Sequence, residues 1–426
     1  IYQIYICIKK MIKSLLLSLS LPTTNQDNLK EEIEEMKRLA NTLGFSIENT
    51  TIQNKNKIDS ATFFGKGKIQ NTVNQCNELN INTIFINNEI DPGHYKRIQK
   101  IAGKSIFIID RTKLILDIFT KHAKTIESKK QIQLASVQYM MPRLIGQWTH
   151  LERQMGGVGT RGGPGEKQIE IDRRLLRSDI TKLKKDLFQI EKQRTTQRKS
   201  RKNVYKVALV GYTNAGKSSI FKNLSGYKTY IKDELFATLD TTTKNISLDD
   251  KTKILLSDTV GFLRNLPTDL IASFRSTLGE IRDANLLIKI IDISSTDIKG
   301  HVSTIDDTLK ILECNSKKSL IVFNKIDKID NNKIFQKLKN EYKNAIFISS
   351  LDSLNINVLI KEIVNTINKD LKLYKIKLNH KNQSVIDYIY TNAQVLSREN
   401  TYDCINISYR AGTGIHNKIK KMKDNL

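Results

Sequence analysis

The chain has 426 residues, of which 70 are Lys or Arg and 44 are Asp or Glu, so its formal charge is +26 and its pI is near 9.7. The length predicts about two to four domains, and the charge favours a polyanionic partner such as RNA or a lipid surface, although general enrichment in Lys, Asn and Ile accounts for part of it. The four cysteines are too widely spaced for a zinc site or a disulfide framework, which excludes both and indicates a reducing compartment.

The first predicted elements form a small α/β domain over residues 1–126. The apolar run Leu15–Leu21 is far shorter than the ~20 residues that span a bilayer, and no small-residue cleavage site follows it, so we expect a core strand and not an exported segment. Helical periodicity over Asn28–Leu43 precedes two further apolar runs, Thr83–Ile86 and Ser105–Ile109, which predict strands.

Residues 127–202 are charged and helical in period, with a glycine-rich interruption at Met155–Gly165. Apolar residues approximate a heptad seam on both sides of it, namely Leu134, Val137, Met141 and Leu144 before and Ile169, Leu176, Ile180, Leu183, Leu187 and Ile190 after. We therefore predict a helical hairpin, two antiparallel helices joined by a glycine-rich tip.

The tip itself is unusual, since seven of its eleven residues are Gly or Pro, which is more freedom than a helix connection needs. It is either a connecting loop without function or a phosphate contact, and the surrounding arginines favour the second reading. They are Arg153, Arg161, Arg173 and Arg174. The basic run Lys192–Lys202 ends the second helix, either as a solvated helix end or as a further RNA contact.

Residues 211–218 read GYTNAGKS directly after the apolar run Tyr205–Val210, which is the pattern of a phosphate-binding loop between a strand and a helix. Such a loop wraps backbone N–H groups around the β-phosphate, directs Lys217 at the β and γ oxygens and offers the Ser218 hydroxyl to Mg²⁺. The nucleotide-binding residues predicted here are Gly211, Tyr212, Thr213, Asn214, Ala215, Gly216, Lys217 and Ser218. The motif indicates a nucleotide without identifying its base.

A second predicted strand is followed by Asp258, Thr259, Val260 and Gly261. A carboxylate beside the phosphate loop can hold Mg²⁺ through water, and a glycine can bring its N–H to the γ-phosphate because it lacks a Cβ, so we predict a γ-phosphate sensor. Phe262 comes next, where Ras-like enzymes carry the glutamine that orients the attacking water. Because this ring cannot form that hydrogen bond, we expect slow intrinsic hydrolysis that a partner stimulates.

The base is indicated by Asn324, Lys325, Ile326 and Asp327, which follow the apolar run Ser319–Phe323. A carboxylate at Asp327 can accept from both N1–H and the exocyclic amine of guanine. Adenine has an acceptor at N1 and would leave that charge unpaired, so guanine is favoured.

The three motifs occur in order, each at the carboxyl end of a predicted strand, and together they predict a GTP site. Residues 203–370 contain six strand-like runs alternating with helices, which predicts a mostly parallel sheet in a P-loop G domain of the α/β class. A helix at Ser384–Val395 and a strand at Cys404–Tyr409 then predict a small α+β module over residues 371–426.

Together these features resemble the HflX family of translational GTPases, within the Obg–HflX branch. The matching segments are spread over nearly the whole chain, at Phe64–Lys68, Asp110–Phe119, Pro142–Leu144, Gly156–Glu166, Asp172–Arg174, Gly211–Ser218, Phe236–Asp240 and Asp258–Phe262. The chain departs from the family pattern at Thr241, where proline is usual, and at Ser350, where alanine is common.

The resemblance implies a GTPase that uses GTP, GDP and Mg²⁺, binds the large ribosomal subunit and its rRNA, and acts in ribosome splitting, rescue or biogenesis, with the hairpin tip near the peptidyl transferase centre. By motif match Thr238 is the switch threonine and, with Ser218, a ligand of Mg²⁺, while Lys217, Thr238 and Gly261 support hydrolysis. The other nucleotide-binding residues implied are Phe236, Ala237, Leu239, Asp240, Ser349 and Ser350. We expect a cytoplasmic monomer without stable membrane insertion.

Three alternatives stay open on the residues alone. One is an RNA-remodelling ATPase acting on rRNA, with ATP bound by the N-terminal domain near Phe64–Lys68. Another is a scaffold whose switch no longer cycles, which the intact set of phosphate-loop and base residues disfavours. The third is a peripheral membrane GTPase held by charge and the leucine-rich start.

Overall fold

The structure, a computed structural model, describes residues 11–144, 164–200, 204–226, 235–236, 239–250, 252–264, 279–329 and 332–424. The described residues divide into two compact units. The first is drawn from Ile1–Lys192, Lys232–Asp240 and Leu263–Thr277, and the second from Gln193–Ile231, Thr241–Phe262 and Leu278–Leu426. The predicted tip, apart from its last two residues, lies outside the described residues, as do Arg153, Arg161, Ala237 and Thr238.

A parallel sheet of four strands, in the order β2-β1-β3-β4, forms the centre of the first unit. Its strands are β1 (Ile12–Ser20), β2 (Phe45–Asn54), β3 (Thr83–Ile86) and β4 (Phe107–Asp110). The helices that alternate with them are α1 (Gln26–Thr42), α2 (Lys66–Glu78), α3 (Pro92–Ala102) and α4 (Arg111–His122). The predicted α/β class is confirmed, as are the three predicted strands and the first helix to within a few residues. Strand β2 was not predicted, because Phe45 is its only buried residue and no apolar run marks it.

The two long helices predicted for the hairpin are present as α5 (Ile126–Leu144) and α6 (Pro164–Ser200). Leu134 of α5 and Leu183 of α6 are buried seam residues, as the heptad pattern predicts. An ion pair joins Lys130, near the start of α5, to Asp186, in the second half of α6, as antiparallel pairing requires. Among the described helices, none combines the length and apolar character that crossing a bilayer requires.

The second unit is built on a sheet of six strands in the order β10-β9-β8-β5-β7-β6, parallel except for β6. The strands are β5 (Tyr205–Gly211), β6 (Thr242–Ser247), β7 (Lys253–Asp258), β8 (Leu286–Asp292), β9 (Lys318–Asn324) and β10 (Ile346–Phe347). The helices are α7 (Lys217–Ser225), α8 (Gly279–Asp283), α9 (Ile298–Ile311), α10 (Asn332–Glu341) and α11 (Ile356–Asp370). Strands β5 and β8 are buried along most of their length, which explains why both read as continuous apolar runs. The mostly parallel sheet is confirmed.

The strands after α11 form an antiparallel sheet of three strands in the order β11-β13-β12. Its elements are β11 (Lys372–Leu378), α12 (Gln383–Asn392), β12 (Gln394–Asn400), β13 (Ile405–Ala411) and α13 (Thr413–Asp424). The predicted helix and strand correspond to α12 and β13. The sequence of β11 alternates lysine with an apolar residue only over Lys375–Leu378, which is a period-two pattern too short to predict a strand by itself.

Candidate active site

The loop between β5 and α7 requires glycine at both ends. Gly216 has φ +91, and a Cβ there would lie 2.1 Å from Asn324 Nδ2. At Gly211 a Cβ would lie 2.3 Å from the carbonyl oxygen of Ile290. No larger residue fits either position unless the loop or the neighbouring strand moves. The tight turn starts α7 at Lys217, so the free N–H groups of the first helical turn border the loop and form a site suited to an anion.

The side chain of Lys217 is buried in this loop, and its Nζ donates to the Tyr212 carbonyl oxygen at 2.7 Å. Desolvation lowers the pKa of the ammonium to about 8, and the Asp258 carboxylate offsets part of that shift. A cation that has lost its water and is only partly compensated gains strongly when an anion arrives. The environment of Lys217 therefore suits a phosphate.

Ser218 and Asp258 meet where α7 begins and β7 ends, with Ser218 Oγ donating to Asp258 Oδ2 at 2.7 Å. Asp258 is buried, so its carboxylate is held in a fixed place. A hydroxyl and a carboxylate are the hard oxygen ligands that Mg²⁺ prefers, and the pair fits the predicted metal site directly or through water. Thr238, the other predicted ligand, lies outside the described residues.

The segment after Asp258 is attached to the phosphate loop through its backbone. Phe262 N–H donates to the Gly211 carbonyl at 2.9 Å, and Thr213 N–H donates to the Phe262 carbonyl at 2.8 Å. Thr259 Oγ1 donates to the Leu209 carbonyl at 2.7 Å. At Gly261 a Cβ would lie 2.8 Å from Thr213 Cα and 3.0 Å from Lys217 Nζ. Only glycine permits this approach, and it places the backbone of Gly261 beside the lysine.

The predicted base-binding residues are also joined to the phosphate loop. Asn324 Nδ2 donates to the Ala215 carbonyl at 2.9 Å, and Asn324 Oδ1 accepts from Ser350 N–H at 2.9 Å. Asp327 is exposed, and its carboxylate accepts from Ser349 Oγ. One continuous network therefore links the loop to the edge where a base would bind. It includes the Ser350 side chain, because Asn324 Nδ2 also donates to Ser350 Oγ at 3.0 Å, a contact that alanine could not supply.

Three residues of this neighbourhood were missed by sequence reasoning. Asp292 Oδ2 lies 2.7 Å from Lys325 Nζ. Burial raises the pKa of the Asp292 carboxyl, but Lys325 acts against burial and the pKa lies below its usual range. His301 stacks on the Tyr212 ring with centroids 4.0 Å apart. Asn223 donates to the Ser350 carbonyl at 2.8 Å. An acidic residue at the end of β8, matching Asp258 at the end of β7, was the one available signal.

The remaining predicted residues near the switch lie in the first unit. Phe236 and Leu239 are buried there, and the Asp240 carboxylate is hydrogen-bonded to the start of α5. The proposed ATP segment also lies in this unit, where Phe64 is a fully buried core residue and Gly65 N–H donates to Gln53 Oε1 at 3.0 Å. ATP binding at that segment stays a prediction.

Three family models match consecutive parts of the chain. Residues 30–120 match a GTP-binding GTPase N-terminal model, 122–201 a GTP-binding GTPase middle-region model, and 206–325 a 50S ribosome-binding GTPase model. With the loop, the acidic strand end and the base motif on one parallel sheet, the chain is a P-loop GTPase that binds and hydrolyses GTP.

Relatives specify the family. GTPase HflX of Magnetococcus marinus is 37% identical over 368 residues, which cover 86% of this chain and 84% of that protein. GTPase HflX of Flavobacterium psychrophilum is 38% identical over 376 residues, covering 83% and 90%. A crystal structure of SsGBP in complex with GDP is 25% identical with a TM-score of 0.45, and covers 84% of this chain and 98% of that one. The chain belongs to the HflX family of GTPases.

Proposed function

We propose that the chain is a GTP-dependent switch that associates with the large ribosomal subunit and its rRNA, in ribosome splitting, rescue or biogenesis. The observation that supports a switch is the backbone hydrogen bonding of Phe262 to Gly211 and Thr213. A γ-phosphate bound beside Gly261 would contact this segment and so change its conformation. The ribosomal partner is supported by the family model described as 50S ribosome-binding and by the charge of +26. Helix α6 contributes many basic residues, among them Arg173, Arg174, Arg177, Lys182, Lys184 and Lys185.

The nucleotide would be held by the network described above. Lys217 and the N–H groups of the phosphate loop take the β and γ phosphates, and Gly261 N–H takes the γ-phosphate. Asp327 accepts from guanine, while Asn324 ties the base segment to the loop. The remaining predicted residues flank these contacts, namely Tyr212, Thr213, Asn214, Thr259, Val260, Lys325, Ile326, Ser349 and Ser350.

Mg²⁺ held by Ser218, Thr238 and, through water, Asp258 would neutralise charge on the β and γ oxygens. The chain's own contribution is to orient the nucleotide, exclude water and fix the sensor segment. Loss of the γ-phosphate removes the shared anchor of Thr238 and Gly261, so both segments relax after hydrolysis. The GTP form is then the form that binds the ribosome.

We expect the full chain to pellet with large ribosomal subunits in a non-hydrolysable GTP analogue and to stay in the supernatant with GDP, because only the first orders both switch segments. Sedimentation at several salt concentrations measures this, and binding should weaken as salt rises, as contacts to phosphates do. Liposomes in a parallel arm serve as the control for the membrane alternative. Equal pelleting with GDP and the analogue would contradict the switch.

Hydrolysis should be slow in the isolated protein and about hundredfold faster or more with large subunits, as for other GTPases completed by a partner. The reason is Phe262, which is 2% exposed, commits both backbone groups to the phosphate loop and has no polar atom to orient water. Phosphate release under single-turnover conditions measures the rate. The same rate with and without subunits would show that the chain itself orients the water.

A further inference from the structure

The base segment, residues 324–327, leaves the sheet of the second unit between the ends of two other strands. In the parallel pairing of β8 with β9, Asp292 lies opposite Asn324. Beyond that pair, Ile293 N–H donates to the Asn324 carbonyl at 3.0 Å. On the other side, Ile326 N–H donates to the carbonyl of the residue that follows β10 at 3.2 Å. Neighbouring strand ends therefore hold the backbone of the base segment on both sides.

The chain turns sharply at Lys325. This residue has φ +67 and ψ +40, a left-handed conformation that is uncommon for a residue with a side chain, so surrounding contacts must hold it there. A short 3-10 turn over Ile326–Lys328 follows and contains Asp327. The conformation of Lys325 therefore sets the direction in which the chain carries Asp327.

The side chain of Lys325 is held by a carboxylate that is itself fixed. Lys325 Nζ lies 2.7 Å from Asp292 Oδ2, and the two side chains are 17% and 20% exposed. An ion pair so far withdrawn from water is screened less than a surface pair. The other oxygen, Asp292 Oδ1, accepts from Ser294 N–H at 2.9 Å and from Ser294 Oγ at 2.7 Å. Asp292 is thus fixed through one oxygen and holds Lys325 with the other.

The charges of this neighbourhood depend on the same carboxylate. Burial raises the pKa of the Asp292 carboxyl, but the contacts with Lys325 and Ser294 outweigh burial, so the carboxylate stays charged at neutral pH. The charge of Lys325 contributes to lowering the pKa of Lys217, so the two cations act on each other. Asp292 compensates one of them and keeps its side chain in place.

We infer that Asp292 is a positioning residue for guanine recognition, which holds Lys325 and thereby fixes the turn that presents Asp327 to the base. The inference rests on the proposed contact between Asp327 and guanine. A direct contact between Asp292 and the nucleotide is a poorer account, because Ser294 and Lys325 already occupy both carboxylate oxygens.

The readout is the ratio of the Kd for inosine diphosphate to the Kd for GDP, measured by titration of the full chain. Inosine lacks the exocyclic amine of guanine, so it can donate to Asp327 only from N1–H. Loss of one hydrogen bond to a charged acceptor should weaken binding about tenfold or more, which sets the ratio in the unchanged chain. The ratio therefore reports how well Asp327 is placed, separately from the phosphate contacts that both nucleotides share.

Asp292→Asn should lower the affinity for GDP about tenfold and that for inosine diphosphate about threefold, so the ratio falls about threefold. Asparagine has no charge and one acceptor oxygen where aspartate has two, so it cannot hold Ser294 and Lys325 as the carboxylate does. A misplaced Asp327 weakens two hydrogen bonds to guanine but only one to hypoxanthine. Lys325→Met should reduce the ratio similarly, and the double variant should lose no more than the larger single loss, because both changes break one contact.

Asp306→Asn is the matched control. Asp306 of α9 forms an ion pair with Lys289 of β8, also at 2.7 Å, three residues before Asp292 on the same strand. Its loss removes a comparable pair from the same sheet without touching the base segment. Thermal unfolding of both variants measures the effect on the fold, and the ratio should stay unchanged in Asp306→Asn.

An unchanged ratio in Asp292→Asn would overturn the inference, as would multiplicative losses of GDP affinity in the double variant. So would an equal fall of the ratio in Asp306→Asn, which would show a general effect of the fold. The unchanged chain separates this inference from the proposed base contact. Equal affinity of that chain for the two nucleotides would count against the contact of Asp327 with guanine, whereas a preference for GDP that survives Asp292→Asn would count against the positioning role alone.

Discussion

Replacing Lys217 with alanine should lower the affinity for GTP and GDP at least about hundredfold, roughly 3 kcal/mol, because truncating one member of a buried charge contact leaves the other uncompensated. The ammonium is the buried cation of the loop, and Gly261 lies directly beside it. The nucleotide-free protein should keep its fold, because burial already disfavours the charged form of Lys217 and the substitution removes that desolvation cost. Titration with fluorescent GDP and thermal unfolding measure the two effects.

The pH dependence of binding provides the control. The pKa of Lys217 is about 8 without nucleotide, and a bound phosphate raises it. Below pH 8 the Lys217 amine of the free protein is already protonated, so nucleotide binding takes up almost no protons. As the pH rises above 8, the amine must take up a proton when the nucleotide binds, and the affinity falls. Calorimetry in buffers of different ionisation enthalpy measures the uptake. Lys217→Arg should abolish it, because Arg stays charged. Unchanged GTP affinity in Lys217→Ala would contradict the loop assignment.

Replacing Asp327 with asparagine should lower GTP affinity about hundredfold or more and favour the xanthosine nucleotide. Two hydrogen bonds from guanine to a charged acceptor are each worth about 1.5–3 kcal/mol. Asparagine presents a donor to the exocyclic amine, which is unfavourable, but the same donor matches the carbonyl that xanthine carries there. Competition between GTP and xanthosine triphosphate measures the change.

Asp352→Asn is the matched control for that experiment. Asp352 is an exposed neighbouring carboxylate, and its backbone N–H donates to Ser349 Oγ, the hydroxyl that also donates to Asp327. Neutralising it changes the local charge by the same amount without removing a predicted base contact. Base preference should stay with guanine. If Asp352→Asn shifts the preference as far as Asp327→Asn does, the assignment of the base contact is wrong.

Much of the fold was predictable because its signals are local. The parallel strands β5 and β8 are apolar along their length, and the seam of α6 repeats with helical period, so each could be recognised without knowing its partners. The elements that were missed carry weaker signals. Strand β2 has one buried residue, and β11 alternates lysines with apolar residues over only a few positions.

Some features of the candidate site could likewise be predicted from the sequence, and others could not. The sequence by itself determined the phosphate loop, the acidic strand end and the guanine motif, because each is a short run whose spacing alone meets a chemical requirement. Only the tertiary structure decided that Lys325 meets Asp292 and that Asp240 caps α5. Such contacts join residues far apart in the chain, 115 positions in the case of Thr125 and Asp240, and no periodicity or spacing records them. They depend on how separate helices and strands pack, which is a property of the folded chain.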